Sequence, residues 1–200
     1  MKVNWAEWLM VNSPNRVLVQ KWLLLPWIKR GVSLPKEAMI LEIGCGRGVG
    51  ACLLLEAFRP RALYAMDLDT LMISCATCYV PPEQRGRIHL YVGDASQLPH
   101  MSKSMDAVFG FGVLHHLPDW RQGLAEISRV LKPGGIYFLE EFYPSLYLNF
   151  LARRLFSHPK EDRFFSQDLH RALKQADLVM ERSLEHPKLG ILATCRKSMH

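Results

Sequence analysis

Five short apolar runs along the chain are each followed by glycine or an acidic residue. Runs of this length, separated by stretches of helical spacing, are typical of buried strands that alternate with helices. The predicted strands cover residues 38–43, 62–66, 88–92, 107–111 and 136–139, with a closing pair at 178–184 and 189–195. The predicted helices cover residues 50–58, 68–78, 119–131 and 167–176. The pattern predicts an α/β fold with a doubly wound, mostly parallel seven-stranded sheet and helices on both faces.

The first predicted strand runs into the glycine-rich stretch Leu-Glu-Ile-Gly-Cys-Gly-Arg-Gly-Val-Gly at 41–50. Glycines at a strand-to-helix turn let the backbone, with its free N–H groups, approach a ligand closely. Counted from Gly46, the residues through Ala51 satisfy the dinucleotide fingerprint G-x-G-x-x-A. Counted from Gly44, Val49 takes the place of the third glycine. A P-loop is excluded because no Gly-Lys-Ser/Thr follows.

An acidic residue, Glu42, precedes these glycines and favours a cationic ligand. The acid and the alternate glycines resemble motif I of the class I S-adenosylmethionine-dependent methyltransferases. Further segments match this family in order and spacing: Asp67, 93–95, 105–109, 113–117 and 131–135. The series is most similar to the ubiquinone/menaquinone-type branch (methyltransferase type 11) and covers roughly residues 38–140. The resemblance implies a Rossmann-like fold, S-adenosylmethionine as cofactor and methyl transfer as the reaction.

The resemblance assigns the glycine-rich turn to the methionine part of the cofactor. Gly44, Gly46 and Gly48 would admit that part against the backbone. Glu42 would lie near its ammonium group, directly or through water.

The ends of the second and third strands would hold the adenosine part of the cofactor. Asp67 would accept hydrogen bonds from both ribose hydroxyls, and Leu68 would pack on adenine. Asp94 would accept a hydrogen bond from the adenine amino group, with Ala95 beside the ring. Both aspartates could instead only cap their turns.

The resemblance places Gly110 and Phe111 near the transferable methyl group. The family often has a polar residue where Phe111 stands, so this aromatic side chain predicts a more apolar site. His115 and His116 are the candidate catalytic residues, because histidine has a suitable pKa for a general base. A base is required only if the acceptor must lose a proton, and the pair recurs in the family without a constant catalytic role.

Composition limits the class of protein. The chain has 200 residues, of which 49% are hydrophobic and 22% charged, values that fit one globular domain and exclude a disordered chain. Cys75 and Cys78 form a C-x-x-C that lacks two further zinc ligands, so no metal site is expected and both are predicted to be core thiols. Without a membrane span of about 20 apolar residues or a secretory signal, a cytoplasmic location is expected.

Two segments accompany the predicted methyltransferase domain of 38–200. Residues 1–37 are expected to form a helical N-terminal extension or lid, and residues 141–165 an insertion on the acceptor side. Both are rich in aromatic and basic residues. Because the resembled family builds its acceptor site from such segments, we expect a small-molecule or lipid-like acceptor. The basic residues are scattered, so nucleic acid is not expected as a partner.

The N-terminal segment could also make peripheral contact with a membrane. Residues 15–25 could form an amphipathic helix lying on a bilayer surface. The favoured alternative is a lid whose tryptophans are buried against the domain.

Two other functions stay open at this point. The glycine spacing from Gly46 to Ala51 suggests a nicotinamide-dependent oxidoreductase as one alternative. The basic, tryptophan-rich start suggests a non-catalytic binding module at a membrane surface as the other.

Overall fold

The structure is a computed structural model that describes residues 13–147 and 163–199. The described residues form one sheet of seven strands. The strands are β1 (Met39–Ile43), β2 (Ala62–Asp67), β3 (Ile88–Val92), β4 (Met105–Phe111), β5 (Leu131–Phe142), β6 (Leu178–His186) and β7 (Gly190–Lys197). Their order is β3-β2-β1-β4-β5-β7-β6. Strands β1 to β5 are parallel, and β7 is antiparallel to both its neighbours.

The strand order reverses between β1 and β4, which are neighbours at the centre of the sheet. Ile43, the last residue of β1, pairs with Met66 on one side and with Gly110 on the other. The carboxyl ends of β1, β2 and β4 therefore lie at the same edge. In open α/β sheets this reversal creates the crevice that binds ligands, so the predicted fold is confirmed and the site is expected here.

Helices cover both faces of this sheet. They are α1 (Pro14–Val19), α2 (Leu25–Gly31), α3 (Val49–Phe58), α4 (Thr70–Tyr79), α5 (Trp120–Val130), α6 (Pro144–Tyr147) and α7 (Ser166–Gln175). Asp69 begins α4 by accepting a hydrogen bond from the Leu71 N–H, and Asp119 begins α5 by accepting one from the Gln122 N–H. Such side-chain caps satisfy N–H groups that a helix leaves free at its start.

The segments α1 and α2 belong to one helical run over residues 14–31, which we call the N-terminal helix. Its middle, Gln20–Leu24, is a π-helical turn in which the Leu25 N–H donates to the Gln20 carbonyl. Pro26 follows this turn, and a proline ring crowds the carbonyl four residues earlier. A wider turn relieves that crowding. Among the described residues, every helix is too short or too polar to cross a bilayer.

The hydrophobic core has two layers, one on each face of the sheet. On one face, Trp120 of α5 and Leu169 of α7 are fully buried against the sheet. On the other face, Ile28 of the N-terminal helix packs with Leu54 of α3. The N-terminal helix is therefore built into the core and contributes to the same apolar layer as α3.

The main departure from the predicted elements is the length of β5. The sequence predicts a strand over 136–139, whereas β5 covers Leu131–Phe142. Its first residue, Leu131, pairs with Met105 beyond an irregularity in the ladder. Its last residue, Phe142, pairs with Gly190 of β7. The strand is extended at both ends by pairing with residues distant in the sequence. The local pattern of apolar residues does not predict such pairing.

Two predictions about buried side chains are wrong in part. Trp22 is 70% exposed, whereas Trp27 packs edge-on against Phe138 with 5.9 Å between ring centroids. Cys78 is exposed, so it is not a core thiol, and Cys75 is half-buried. The tryptophans at positions 5 and 8, and the part of the predicted insertion at 148–162, lie outside the described residues.

Adjacent leucines of the N-terminal helix test its contribution to stability. Leu24 is 2% exposed and Leu23 is 62% exposed. We expect Leu24→Ala to lower the free energy of unfolding by about 2–5 kcal/mol, because it leaves a cavity in the core. Leu23→Ala, the matched control, should change it by less than about 0.5 kcal/mol. Urea unfolding followed by circular dichroism measures both, and equal effects would contradict the packing described.

Candidate functional site

The turn after β1 shapes the ligand crevice. Gly44, Gly46 and Gly48 have φ values of 64°, 53° and 86°, a region that disfavours other residues. A Cβ added to Gly44 would lie 2.6 Å from Val113, so the turn packs closely on the segment after β4. A Cβ on Gly48 would instead face Ala76 of α4. Gly48 therefore begins α3 and lets α4 approach, and it does not line the cavities described next.

Two adjacent cavities lie beside this turn and share Gly44, Gly46 and Phe111 in their walls. The first, which we call the Asp67 cavity, follows the ends of β1, β2, β3 and β4. It is lined by Gly44, Gly46, Met66, Asp67, Leu68, Asp69, Met72, Gly93, Asp94, Ala95, Phe111, Gly112, Val113, His116 and Leu117. The second, the Glu42 cavity, lies between the glycine-rich turn and the N-terminal helix. It is lined by Arg16, Gln20, Glu42, Gly44, Cys45, Gly46, Arg47, Val49, Gly50 and Phe111.

Asp67 closes the glycine-rich turn against β2. One carboxylate oxygen accepts the Gly46 N–H at 2.9 Å, and the other accepts the Asp69 N–H at 2.9 Å. Burial raises the pKa of Asp67, while these two hydrogen bonds lower it. A carboxylate has about four acceptor positions, so two remain for a ligand.

Asp94 also lines the Asp67 cavity and follows the end of β3, the strand next to β2. Its Oδ1 accepts the Ser96 N–H at 2.8 Å and the Ser96 hydroxyl at 2.7 Å. These bonds orient the exposed carboxylate at the cavity edge. Leu68 and Ala95 complete the apolar wall near the two aspartates. The structure thus brings four of the predicted adenosine-side residues to one cavity.

Glu42 is a buried acidic residue of the Glu42 cavity. Only 1% of the residue is exposed, and its Oε1 lies over Gly50, where an added Cβ would come within 2.0 Å. Burial, with a smaller contribution from Asp67, raises the pKa of Glu42 well above its ordinary value. Within residues 13–147 and 163–199, its Oε2 has no hydrogen-bond partner. A buried oxygen without a partner is costly, so this oxygen is suited to a cationic ligand.

Two guanidinium groups also line the Glu42 cavity. Arg47 lies in the glycine-rich turn, 5.4 Å from the centre of the Tyr79 ring, and its buried Nε has no partner among the described residues. Arg16 belongs to the N-terminal helix. The Arg16 guanidinium is bound by Glu140, so the cavity offers the Glu42 carboxyl group and the Arg47 guanidinium to a ligand. This pair suits a ligand end that carries both an ammonium and a carboxylate group.

Phe111 joins the two cavities, since it lines both of them. Its ring packs on Phe138 with 5.3 Å between centroids. Gly110 is expected to line the ligand site next to Phe111. A Cβ added to Gly110 would instead contact the side chains of Ile43 and Tyr137. The neighbouring Gly112 lines the Asp67 cavity instead. Gly110 itself lines neither the Asp67 cavity nor the Glu42 cavity.

The two histidines differ in their surroundings. His115 contacts Glu141, with 2.7 Å between its Nδ1 and the Glu141 Oε2. Burial, with a smaller contribution from Arg16, lowers the pKa of His115 to about 3, so its ring is neutral at neutral pH. His116 lines the Asp67 cavity, and His115 lines neither cavity. Of the two candidate bases, the structure brings His116 alone to the cavity wall.

Glu141 holds the segment that follows β4. Its Oε1 accepts the Val113 N–H at 3.0 Å and the Leu114 N–H at 2.8 Å, and its Oε2 accepts the His115 N–H at 3.3 Å. Burial raises its pKa to about 7, against the effect of these three bonds. Glu141 is therefore a cap that fixes the turn carrying His116.

Glu140 precedes Glu141 in β5, and its side chain lies on the opposite face of the sheet, where it pairs with Arg16. The Arg16 Nη1 donates to Oε1 at 2.8 Å, and Nη2 donates to Oε2. This bidentate pair ties the N-terminal helix to the carboxyl end of β5. Sequence reasoning missed Arg16, because 124 positions separate the two partners and no local pattern marks the contact.

Comparison with known proteins gives independent support. The model of the methyltransferase domain family matches residues 41–139. A fatty-acid O-methyltransferase of Mycolicibacterium smegmatis is 39% identical over 100 residues, 50% of this chain and 35% of that protein. A demethylmenaquinone methyltransferase of Geobacillus kaustophilus is 34% identical over 123 residues, 60% of this chain and 52% of that protein. The chain spans about a third to a half of these curated relatives.

Solved structures share the fold over almost the whole chain. The structure of a SAM-dependent methyltransferase from Aquifex aeolicus superposes with a TM-score of 0.75 at 16% identity, covering 98% of this chain and 99% of that one. The family match covers the glycine-rich turn, both aspartates and the histidine pair, and the superposed structure is that of a SAM-dependent methyltransferase. Residues 41–139 therefore belong to the methyltransferase domain family, in agreement with the resemblance to the S-adenosylmethionine-dependent methyltransferases.

Proposed function

We propose that this chain transfers a methyl group from S-adenosylmethionine to a lipid-like acceptor. The observation that carries the proposal is the buried Glu42 oxygen, which lacks a partner among the described residues and lines a cavity that shares Gly44, Gly46 and Phe111 with the Asp67 cavity. The cofactor has an amino-acid end and an adenosine end. The two cavities match these ends in order and in charge.

In this proposal each acidic residue binds one part of the cofactor. Glu42 holds the ammonium group, and Arg47 favours the carboxylate beside it. Asp67 uses its remaining acceptor positions for the ribose hydroxyls. Asp94 accepts the adenine amino group, and Leu68 contacts the ring. Charge-assisted hydrogen bonds of this kind are stronger than neutral ones.

Catalysis would depend mainly on positioning. When bound, S-adenosylmethionine supplies a methyl group already activated on a sulfonium. The chain orients donor and acceptor and excludes water, and such positioning can account for most of the acceleration. Phe111 lines the junction of the two cavities and provides an apolar wall there. Where the acceptor must lose a proton, His116 is the candidate base, and His115 and Glu141 position it.

The lipid-like acceptor is supported by the names of the relatives, which include a fatty-acid and a demethylmenaquinone methyltransferase. The composition of the N-terminal helix agrees with such an acceptor. Apolar side chains on this helix remain exposed beside the site, a pattern unlike that of a helix serving only the core.

Contact with an anionic membrane surface is the second part of the proposal. Leu18 and Trp22, one turn apart on the N-terminal helix, are both exposed, and Leu23 extends the same apolar surface. Lys21 lies beside Trp22, with its Nζ 5.6 Å from the ring centre. Exposed tryptophan with neighbouring lysine is typical of helices that lie in the bilayer interface. A membrane contact here would give the acceptor a short path to the site.

Cofactor binding is the first prediction, measured by calorimetric titration with S-adenosylhomocysteine and, in parallel, with NADH. We expect binding of the homocysteine compound alone. Asp67→Ala should weaken it by about ten- to a hundredfold, the effect of losing a charged hydrogen-bond partner worth about 1.5–3 kcal/mol. Asp119→Ala, which removes a helix cap outside both cavities, is the matched control. Binding of NADH alone would favour the oxidoreductase, and binding of neither would favour the non-catalytic module.

The raised pKa of Glu42 predicts a pH dependence. The folded protein holds this proton more tightly than the unfolded chain, so ionising Glu42 lowers stability as pH rises from the unfolded pKa towards the folded one. Glu42→Gln removes the ionisation. We therefore expect the melting temperature of the variant, measured relative to that of the wild type, to rise as the pH increases. The affinity of the variant for S-adenosylhomocysteine should be lower than that of the wild type. A difference in melting temperature that is independent of pH would contradict the burial of an ionisable carboxyl.

Membrane contact is tested by sedimentation with anionic phospholipid vesicles. Trp22→Ser should reduce the bound fraction severalfold, since it removes the largest exposed apolar side chain of the helix. Met101→Ser is the control, because Met101 is 80% exposed in the loop before β4. Equal binding by both variants would rule out the N-terminal helix as the contact.

A further inference from the structure

We propose that a groove between the N-terminal helix and the β6–β7 hairpin binds the apolar chain of the acceptor. This inference rests on the proposed methyl transfer and names where the larger part of its acceptor lies. The groove is separate from the Asp67 and Glu42 cavities. Its volume is about 570 Å³, within the range of about 300–1,000 Å³ for small-molecule sites.

The walls of the groove are aliphatic. Val19, Leu23 and Leu24 of the N-terminal helix form one wall. The facing wall comes from the hairpin and consists of Leu184, Leu189, Ile191 and Leu192. Leu23 and Leu184 are each 62% exposed, so apolar side chains on both walls face water across the groove. A hydrocarbon chain between them would remove this surface from water, which is the main driving force for apolar binding.

The three carboxylates that line the groove already have partners within the protein. Glu140 pairs with Arg16, and the Glu141 oxygens accept three backbone N–H groups. Glu185 accepts a hydrogen bond from the Tyr143 hydroxyl and pairs with His170 at 2.9 Å. Paired carboxylates leave little for a polar ligand, such as a peptide or a sugar, to bind. The chemistry of the groove therefore selects a hydrocarbon chain.

One ion pair connects this groove with the cofactor cavities. Glu140 lines the inner end of the groove, and its partner Arg16 lines the Glu42 cavity. The same helix thus presents Arg16 and Gln20 to one space, and Val19 and Leu23 to the other. The Arg16–Glu140 pair is therefore the boundary between the groove and the Glu42 cavity, and the reacting end of a chain in the groove would lie beside it. This shared boundary distinguishes an acceptor site from an isolated surface groove.

The test uses a fluorescent chain, 11-(dansylamino)undecanoic acid, in the absence of vesicles. We expect saturable binding to the wild type with a blue shift of the emission. Leu23→Asp should lower the affinity at least tenfold, because it places a charge in the apolar wall. Leu71→Asp is the matched control: Leu71 is 57% exposed on α4, lines none of the three spaces and carries the same added charge. Leu189→Asp tests the facing wall independently and should also lower the affinity.

Titration with S-adenosylhomocysteine accompanies each measurement and separates the two proposals. A selective effect of Leu23→Asp and Leu189→Asp, with the homocysteine compound bound normally, supports the groove. The same selective effect without binding of S-adenosylhomocysteine still supports binding of the hydrocarbon chain in the groove. It contradicts only the proposed methyl transfer. Equal affinities of the Leu23→Asp and Leu71→Asp variants overturn the inference. So does a folded wild type that binds the homocysteine compound and not the probe.

Discussion

The bond from the Gly46 N–H to the Asp67 carboxylate holds the functional end of this molecule together. It joins the turn after β1 to the end of β2, and the parallel register brings the two within 2.9 Å. Beside it, the Cys45 N–H donates to the Met66 carbonyl at 2.8 Å, so two hydrogen bonds tie the glycine-rich turn to the end of β2. The bond fixes the wall shared by both cavities, since Gly46 lines each of them. A side chain assigned to ligand binding is therefore also a structural tie.

A second constraint is the cost of burying carboxylates at this edge of the sheet. Glu42 and Glu141 are each 1% exposed, yet they meet that cost differently. Glu141 accepts three backbone N–H groups and serves the protein itself. Glu42 retains an oxygen with no partner in the described part of the chain. Of the two, the incompletely satisfied carboxylate is the one suited to a charged ligand.

The sequence was sufficient for the parallel sheet, because apolar runs and strand-end glycines are local signals. It also indicated Glu42, Asp67 and Asp94, whose positions follow from where strands end. Contacts between residues far apart in the sequence could not be predicted in this way. The pairing of Arg16 with Glu140 depends on how the N-terminal helix crosses the sheet. Gly112 lines the Asp67 cavity and Gly110 does not, because β4 ends at Phe111 and Gly112 belongs to the turn that follows. A run of apolar residues does not specify that boundary.

The π-helical turn at Gln20–Leu24 sets the rotational register of the N-terminal helix. Each residue of an α-helix rotates the side-chain direction by about 100°. The wider turn adds roughly one residue between Arg16 and the part anchored by Ile28 in the core. Loss of that residue would leave Ile28 in place and rotate Arg16 by about a quarter of a turn or more, away from Glu140. The buried end of the helix fixes its rotation about its own axis. The extra residue of the π-helical turn then determines that the Arg16 side chain points towards Glu140.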